Sequence, residues 1–322
     1  MTTKPQPVIF ALNSNRPLSE KIAQVSGMPM GKATINHFSD GEIKISIDES
    51  VRGKDVFIIQ SLSNPVNMNF MELMIMIDAV RRTSAHTINV VIPYYGYSRS
   101  DRKARSREPI TAKLLASILQ DSGINRVITL DLHAAQIQGF FDIPVDHLQP
   151  SRLISNYLHE QYLDENAVVV APDHNGVGRA RIIADLLDLP IAIVDNREPD
   201  SSNHIPDSVI GSVAGKNAIV IDDLIVTGRK MKVSAAALKT AGAEDVIAVA
   251  THPVFANRKP VDLNDPNISQ VIVTDSIVIS DPDQLPKLTV ISVGELLGNA
   301  LKLIQEHKST HRLFRGGTTD GI

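Results

Sequence analysis

Cysteine is absent from the 322 residues, which excludes disulfides and thiolate metal sites and suits a reducing compartment. There is no run of about 18 apolar residues, so the sequence offers no candidate for a membrane-spanning helix. The opening MTTKPQPVIFALNSN lacks the long apolar stretch of a secretory leader, and the expectation is a cytoplasmic protein with no membrane partner. A surplus of positive charge is missing as well. Lys and Arg number 32 against 36 Asp and Glu, a net charge of −4 that argues against nucleic acid as a partner. What is present, 43% hydrophobic and 21% charged residues, is the balance of a folded globular chain, long enough for two domains.

Short β-branched runs alternate with helical patterns almost throughout. Strands are expected at 8–12, 55–60, 88–94, 126–132, 167–172, 191–195, 218–223, 246–252 and 270–275. Between them, Phe70, Leu73, Met74, Ile77 and Val80 follow the spacing of an amphipathic helix. Leu114, Leu115, Ile118 and Leu119 predict a second apolar face, and Met231, Ala235 and Leu238 a third. Continuous apolar strands alternating with helices imply parallel sheets covered on both faces. KISID at 44–48 alternates instead and predicts part of an antiparallel flap. DHLQPS interrupts the pattern near 146–151, which places a seam there, and PDSSNHIPD at 199–207 has the composition of an exposed loop.

Ligands of open α/β sheets bind beyond the carboxyl ends of the strands, so the residues placed there carry the chemistry. INVVIPY runs into a loop with five cations in nine residues, Arg99, Arg102, Lys103, Arg105 and Arg107. RVITLDL ends in Asp131 and His133, and AVVVAP in Asp173, His174, Asn175 and Gly176, ahead of a helix with Arg179 and Arg181. AIVIDD delivers Asp222 and Asp223, followed by Thr227, Gly228, Arg229 and Lys230. Taken singly, the basic run reads equally well as a solvated loop, His133 as a hydrogen-bonded structural residue and a strand-end Asp as a helix cap. Together, carboxylates for Mg²⁺ or sugar hydroxyls beside cations for phosphate are the ingredients of nucleotide phosphoryl chemistry. Thr227 and Gly228 are expected to open a helix whose first N–H groups are free to hold an anion.

The apolar strand, acidic pair and small-residue turn resemble the signature of the type I phosphoribosyltransferase fold. PYYGYSRSDRKARSREPITAK (93–113), LDLHAAQIQGFFDIPVDHL (130–148) and FSDGE (38–42) resemble ribose-phosphate pyrophosphokinase, also called phosphoribosyl-pyrophosphate synthetase, and the likeness runs over essentially the whole chain. It implies an α/β architecture of two type I phosphoribosyltransferase-like domains with parallel-rich sheets, 1–148 and 149–310, with a tail at 311–322. It also implies transfer of the β,γ-pyrophosphoryl group of Mg-ATP to ribose 5-phosphate, with Mg²⁺ as cofactor. A homo-oligomer, usually a hexamer, or a mixed oligomer with a paralogue is implied as the assembly.

Carried across by position, Phe38, Asp40 and Glu42 resemble an adenine-contacting segment supplied by a neighbouring subunit. Arg99 resembles the nucleotide-contacting arginine, with Ser100 beside it where glutamine is common. His133 and Asp173 match Mg²⁺-associated positions, and Asp222 and Asp223 the pair that holds ribose hydroxyls. The ribose-phosphate side departs from the family's usual pattern. Asn196 stands at the usual catalytic lysine position and Glu198 where an arginine meets the ribose phosphate. Val226, Thr227, Gly228, Arg229 and Lys230 replace an Asp-Thr-(Ala/Gly)-Gly-Thr turn, and Asn175 stands for a glycine. The expectation is therefore an impaired pyrophosphokinase, with a non-catalytic nucleotide-binding paralogue as the alternative. A base-using phosphoribosyltransferase ranks below both, because the ATP-side stretches are present.

Overall fold

A computed structural model describes residues 5–162, 166–195, 208–255 and 261–313. Asn196, Glu198 and the loop at 199–207 lie outside the described residues. The chain divides into two compact units, Met1–Gln149 with Val293–Ile322, and Pro150–Ser292.

The first unit runs β1 (Pro7–Ala11), α1 (Arg16–Ser26), β2 (Ala33–His37), β3 (Ile43–Ile47), β4 (Asp55–Ile59), α2 (Val66–Arg82), β5 (Thr87–Ile92), α3 (Thr111–Asp121), β6 (Arg126–Leu130) and β7 (Val145–Leu148). Its sheet has the order β1-β4-β5-β6-β7, parallel throughout. Every residue of β4 is buried, the signature of a strand covered on both faces. The pair β2–β3 is the expected antiparallel flap, with Ile35 opposite Ile45.

On α2, Leu73, Ile77 and Val80 are buried while Phe70 and Met74 pack at the core's margin. The reading of α3 needs correction. Leu115 and Leu119 are buried with Ala112 and Ala116, but Leu114 is 54% and Ile118 37% exposed. The two i, i+4 pairs lie one residue apart, about 100° around the helix, so burying one turns the other outward.

The second unit runs α4 (Ser151–Tyr162), β8 (Ala167–Ala171), α5 (Val177–Leu187), β9 (Ile191–Val194), β10 (Val209–Ile210), β11 (Asn217–Ile225), α6 (Arg229–Thr240), β12 (Val246–Pro253), β13 (Gln270–Thr274) and β14 (Leu288–Ile291). The order is β10-β9-β8-β11-β12-β13-β14, parallel except where β10 meets β9. From β8 the chain winds outward through β9 to β10, then returns to add β11 on β8's other side. The crevice between the carboxyl ends of β8 and β11 is thus the topological switch point.

The last helix, α7 (Gly294–Gln305), lies within the expected 149–310 domain by sequence and groups with the first unit by its contacts. It packs on α1 so closely that a Cβ on Gly298 would stand 2.6 Å from the Val25 Cβ. Gln305 donates to the Pro5 carbonyl at 3.3 Å and to Asp55 at 3.1 Å. Beyond α7, His307 to Thr310 line a cleft of about 440 Å³ with Arg126, Asp146 and Ile304.

Candidate active site

In the second unit, Asp173 follows β8, and Asp222 and Asp223 lie near the end of β11, so the fold brings them to the switch point. All three are nearly buried, at 8%, 5% and 2% exposed. Asp173 accepts from the Gly176 N–H at 2.9 Å, just ahead of α5, and Asp222 accepts from the Asp223 N–H at 3.0 Å. From the first turn of α6, Lys230 Nζ reaches Asp173 Oδ2 at 3.0 Å and Asp222 Oδ2 at 2.9 Å. Arg179 Nη1 on α5 stands 3.8 Å from Asp223 Oδ1.

Burial and then the Asp223 charge push the Asp222 carboxyl up to about 7, against the pull of the lysine. Burial also opposes the charges on Asp173 and Lys230. Lys230 and the N–H groups of Gly176 and Asn175 nonetheless hold the Asp173 carboxyl below its usual range. The two carboxylates likewise raise Lys230 above the usual lysine range. Lys230 thus pairs with both carboxylates of the acid cluster.

The turn into α6 differs from the expected opening at Thr227 and Gly228 with free N–H groups. The helix begins at Arg229, with Gly228 as the cap at φ 84°. The left-handed residue is the glycine, which adopts that conformation without the steric cost of a Cβ. A Cβ on Gly228 would meet Leu263 at 2.8 Å, a second reason for glycine there. The first N–H groups are not all open, since that of Arg229 donates to Thr227 Oγ1 at 3.3 Å. Val226 is half-buried and Thr227 exposed.

In the first unit, Phe38, Asp40 and Glu42 form the tip of the β2–β3 hairpin. The Phe38 N–H donates to the Glu42 carbonyl at 2.8 Å, the Glu42 N–H to Asp40 Oδ1 at 3.1 Å, and the Phe38 ring is 50% exposed. Arg99 is exposed in the loop after β5, and the Ser100 N–H donates to the Tyr97 carbonyl at 2.8 Å. Glu108 gathers the same loop by accepting from the N–H groups of Ala104 at 3.0 Å and Arg105 at 2.9 Å. His133 is exposed after β6, and Gln136 donates to Asp101 at 3.0 Å, tying that segment to the basic loop.

Sequence reasoning missed a network at the ends of β1 and β4. Glu72 of α2 is fully buried and accepts from the Asn13 N–H and side-chain amide, each at 2.8 Å, and from Gln60 at 3.0 Å. His37, the last residue of β2 before the hairpin tip, lies 2.9 Å from the same carboxylate. The signal was there to find, because Asn69 and Glu72 interrupt the stripe that continues through Leu73, Met76, Ile77 and Val80.

A parallel-rich α/β unit with an acidic pair at its switch point and a glycine-capped helix beside it defines a protein of the phosphoribosyltransferase-like class. The N-terminal domain of ribose phosphate pyrophosphokinase matches residues 7–123, and the phosphoribosyl synthetase-associated domain matches 200–315. The chain is 57% identical over 306 residues to a putative ribose-phosphate pyrophosphokinase 2 of Lactiplantibacillus plantarum, covering 95% of each. It is 53% identical over 311 residues to ribose-phosphate pyrophosphokinase 2 of Enterococcus faecalis, covering 96% of each. The crystal structure of phosphoribosylpyrophosphate synthetase from Mycobacterium smegmatis superposes with a TM-score of 0.88 at 39% identity, over 94% of this chain and 99% of that one. The chain belongs to the ribose-phosphate pyrophosphokinase family. Among the described residues, no helix is long and apolar enough to cross a membrane.

Proposed function

We propose that this chain moves the β,γ-pyrophosphoryl group of Mg-ATP onto the anomeric hydroxyl of ribose 5-phosphate, at a reduced rate. The anomeric oxygen bonds to the β-phosphorus and gives up its proton. The bond from that phosphorus to the α–β bridging oxygen breaks, and the products are phosphoribosyl pyrophosphate and AMP. The observation that carries the reading is the acid pair at the switch point beside the capped start of α6, since carboxylates are suited to accept from sugar hydroxyls. The Phe38–Glu42 hairpin tip and Arg99 are assigned to the nucleotide, with His133 beside its phosphates. The exposed Phe38, Met71 and Leu114 side chains favour an oligomer, of this chain alone or with a paralogue.

The reduced rate rests on chemistry. Asn196 offers the transferring phosphoryl oxygens no charge, and one preorganised donor is worth about 10²–10³ in rate. At the position that the resemblance gives to an arginine meeting the ribose phosphate, Glu198 has a charge of the opposite sign, and Lys230 occupies acceptors that ribose hydroxyls need. Its hold on Asp222 also favours a second reading, a nucleotide-binding paralogue that modulates an active subunit without turning over. A Mg²⁺ bound directly by Asp173 does not fit, because Lys230 Nζ already stands 3.0 Å from that carboxylate. The metal of the reaction enters as part of Mg-ATP.

AMP release from Mg-ATP and ribose 5-phosphate, measured on chain purified away from host enzyme, tests this. Turnover is expected to be roughly 10²-fold or more below the about 1–100 s⁻¹ typical of phosphoryl-transfer kinases. A normal rate overturns the impairment, and no AMP at all favours the modulating reading.

A further inference from the structure

We infer that Lys230 is the resident cation of the Asp173–Asp222 pair and keeps divalent metal out of it. One ammonium lies within hydrogen-bond reach of an oxygen of each, at 3.0 Å and 2.9 Å, and both carboxylates are nearly buried. A Mg²⁺ held by these oxygens would need contacts of about 2.0–2.1 Å, and the ammonium competes for the same oxygens. Two cations at these oxygens repel each other, and the carboxylates neutralise only one of them fully. The ammonium also has an advantage that no free ion has. It is covalently attached, on the first turn of α6, so its effective concentration at the carboxylates is set by a short tether. The lysine side chain is 41% exposed, so its removal opens the pair to solvent. Among the described residues, no group of three or more His, Asp or Glu side chains is arranged to hold a metal.

The inference rests on reading this edge as the substrate site, but its test counts bound metal, so it stands or fails apart from AMP formation. Mn²⁺ serves as the probe, with bound and free ion separated by electron paramagnetic resonance in the absence of nucleotide. The unmodified chain and Asp173→Asn are expected to bind the same number of Mn²⁺ ions. Lys230→Met is expected to gain one Mn²⁺ per chain at least tenfold tighter than any background binding, and Lys230→Met with Asp173→Asn to lose it again. A Mn²⁺ lost from the unmodified chain on Asp173→Asn alone overturns the inference. So does a folded Lys230→Met, judged by its melting transition, that gains none. A further arm needs no variant. Acetylation of Lys230 in the unmodified chain, followed by mass spectrometry, is expected to proceed at the same rate with and without millimolar Mg²⁺. A several-fold acceleration by Mg²⁺ means that the metal displaces the lysine, and it overturns the proposal as surely.

Discussion

Single side chains in this protein act mainly through where their charges are satisfied. Glu72 is the clearest case. A carboxylate with no exposure to water survives in α2 because Asn13 and Gln60 donate to it and His37 stands beside it. Replacing it by Ala strands those donors, and each unsatisfied buried group costs about 1–3 kcal/mol. Glu72→Ala is therefore expected to lose at least about 2 kcal/mol, read as a lower urea midpoint at unchanged slope. A change within about 0.5 kcal/mol, the range of an ordinary surface substitution, means that the network is not holding the ends of β1 and β4 together. Lys230 shows the same logic with the opposite sign, its charge consumed by the aspartates rather than offered to an incoming phosphate.

At the scale of elements, α7 depends on a carboxylate at the start of β4. Asp55 accepts from His86 Nδ1 and Thr87 Oγ1, each at 2.7 Å, and from Gln305 of α7 at 3.1 Å. Burial opposes its ionisation, but hydrogen bonds from His86, Thr87 and Gln305 outweigh burial and lower the carboxyl below its usual range. A group whose pKa is depressed by folding stabilises the fold above its unfolded value, about 3.9 for Asp. That contribution is lost as the pH falls through the lower folded value. Asp55→Asn should therefore melt below the unmodified protein at neutral pH, with the gap closing as the pH drops below about 4. Paired melting curves between neutral and acid pH check this, and a gap that stays constant contradicts the role given to the ionised carboxylate.

For the whole molecule, nucleotide binding and assembly are expected to go together. The Phe38–Glu42 hairpin tip projects an aromatic ring that is 50% exposed within its own chain, and the family resemblance assigns that segment to a neighbour's adenine. Calorimetry with Mg-ATP should give heat from the oligomer, and affinity should fall on dilution to protomers. Phe38→Ala should weaken binding by about 1–3 kcal/mol, the worth of one aromatic stacking contact with a base. Absence of both heat and thermal shift at millimolar Mg-ATP would count against binding altogether. Binding that is unchanged on dilution would leave nucleotide recognition standing and remove the neighbour's part in it.

The alternation of apolar strands with amphipathic helices was legible without coordinates, because period and burial are local properties of a chain. It was enough for the α/β class, the antiparallel flap and the placing of Asp173, Asp222 and Asp223 at strand ends. The resemblance motifs carried the family. Strand order lay beyond such a reading, since it depends on which distant segments pair, and it alone makes the β8–β11 crevice a switch point. The same long-range packing decided that Leu115 and Leu119 are buried while Leu114 and Ile118 face outward. It returned α7 to the first unit, where Gly298 allows close approach to Val25, and it buried Glu72 among donors that follow β1 and β4. Lys230 is the sharpest instance. From the sequence it was a cation at a helix start, facing an anion by default. Only the adjacency of β8 and β11 put two carboxylates within 3.0 Å of it, and an ammonium settles on the nearest buried negative charge rather than waiting for a ligand.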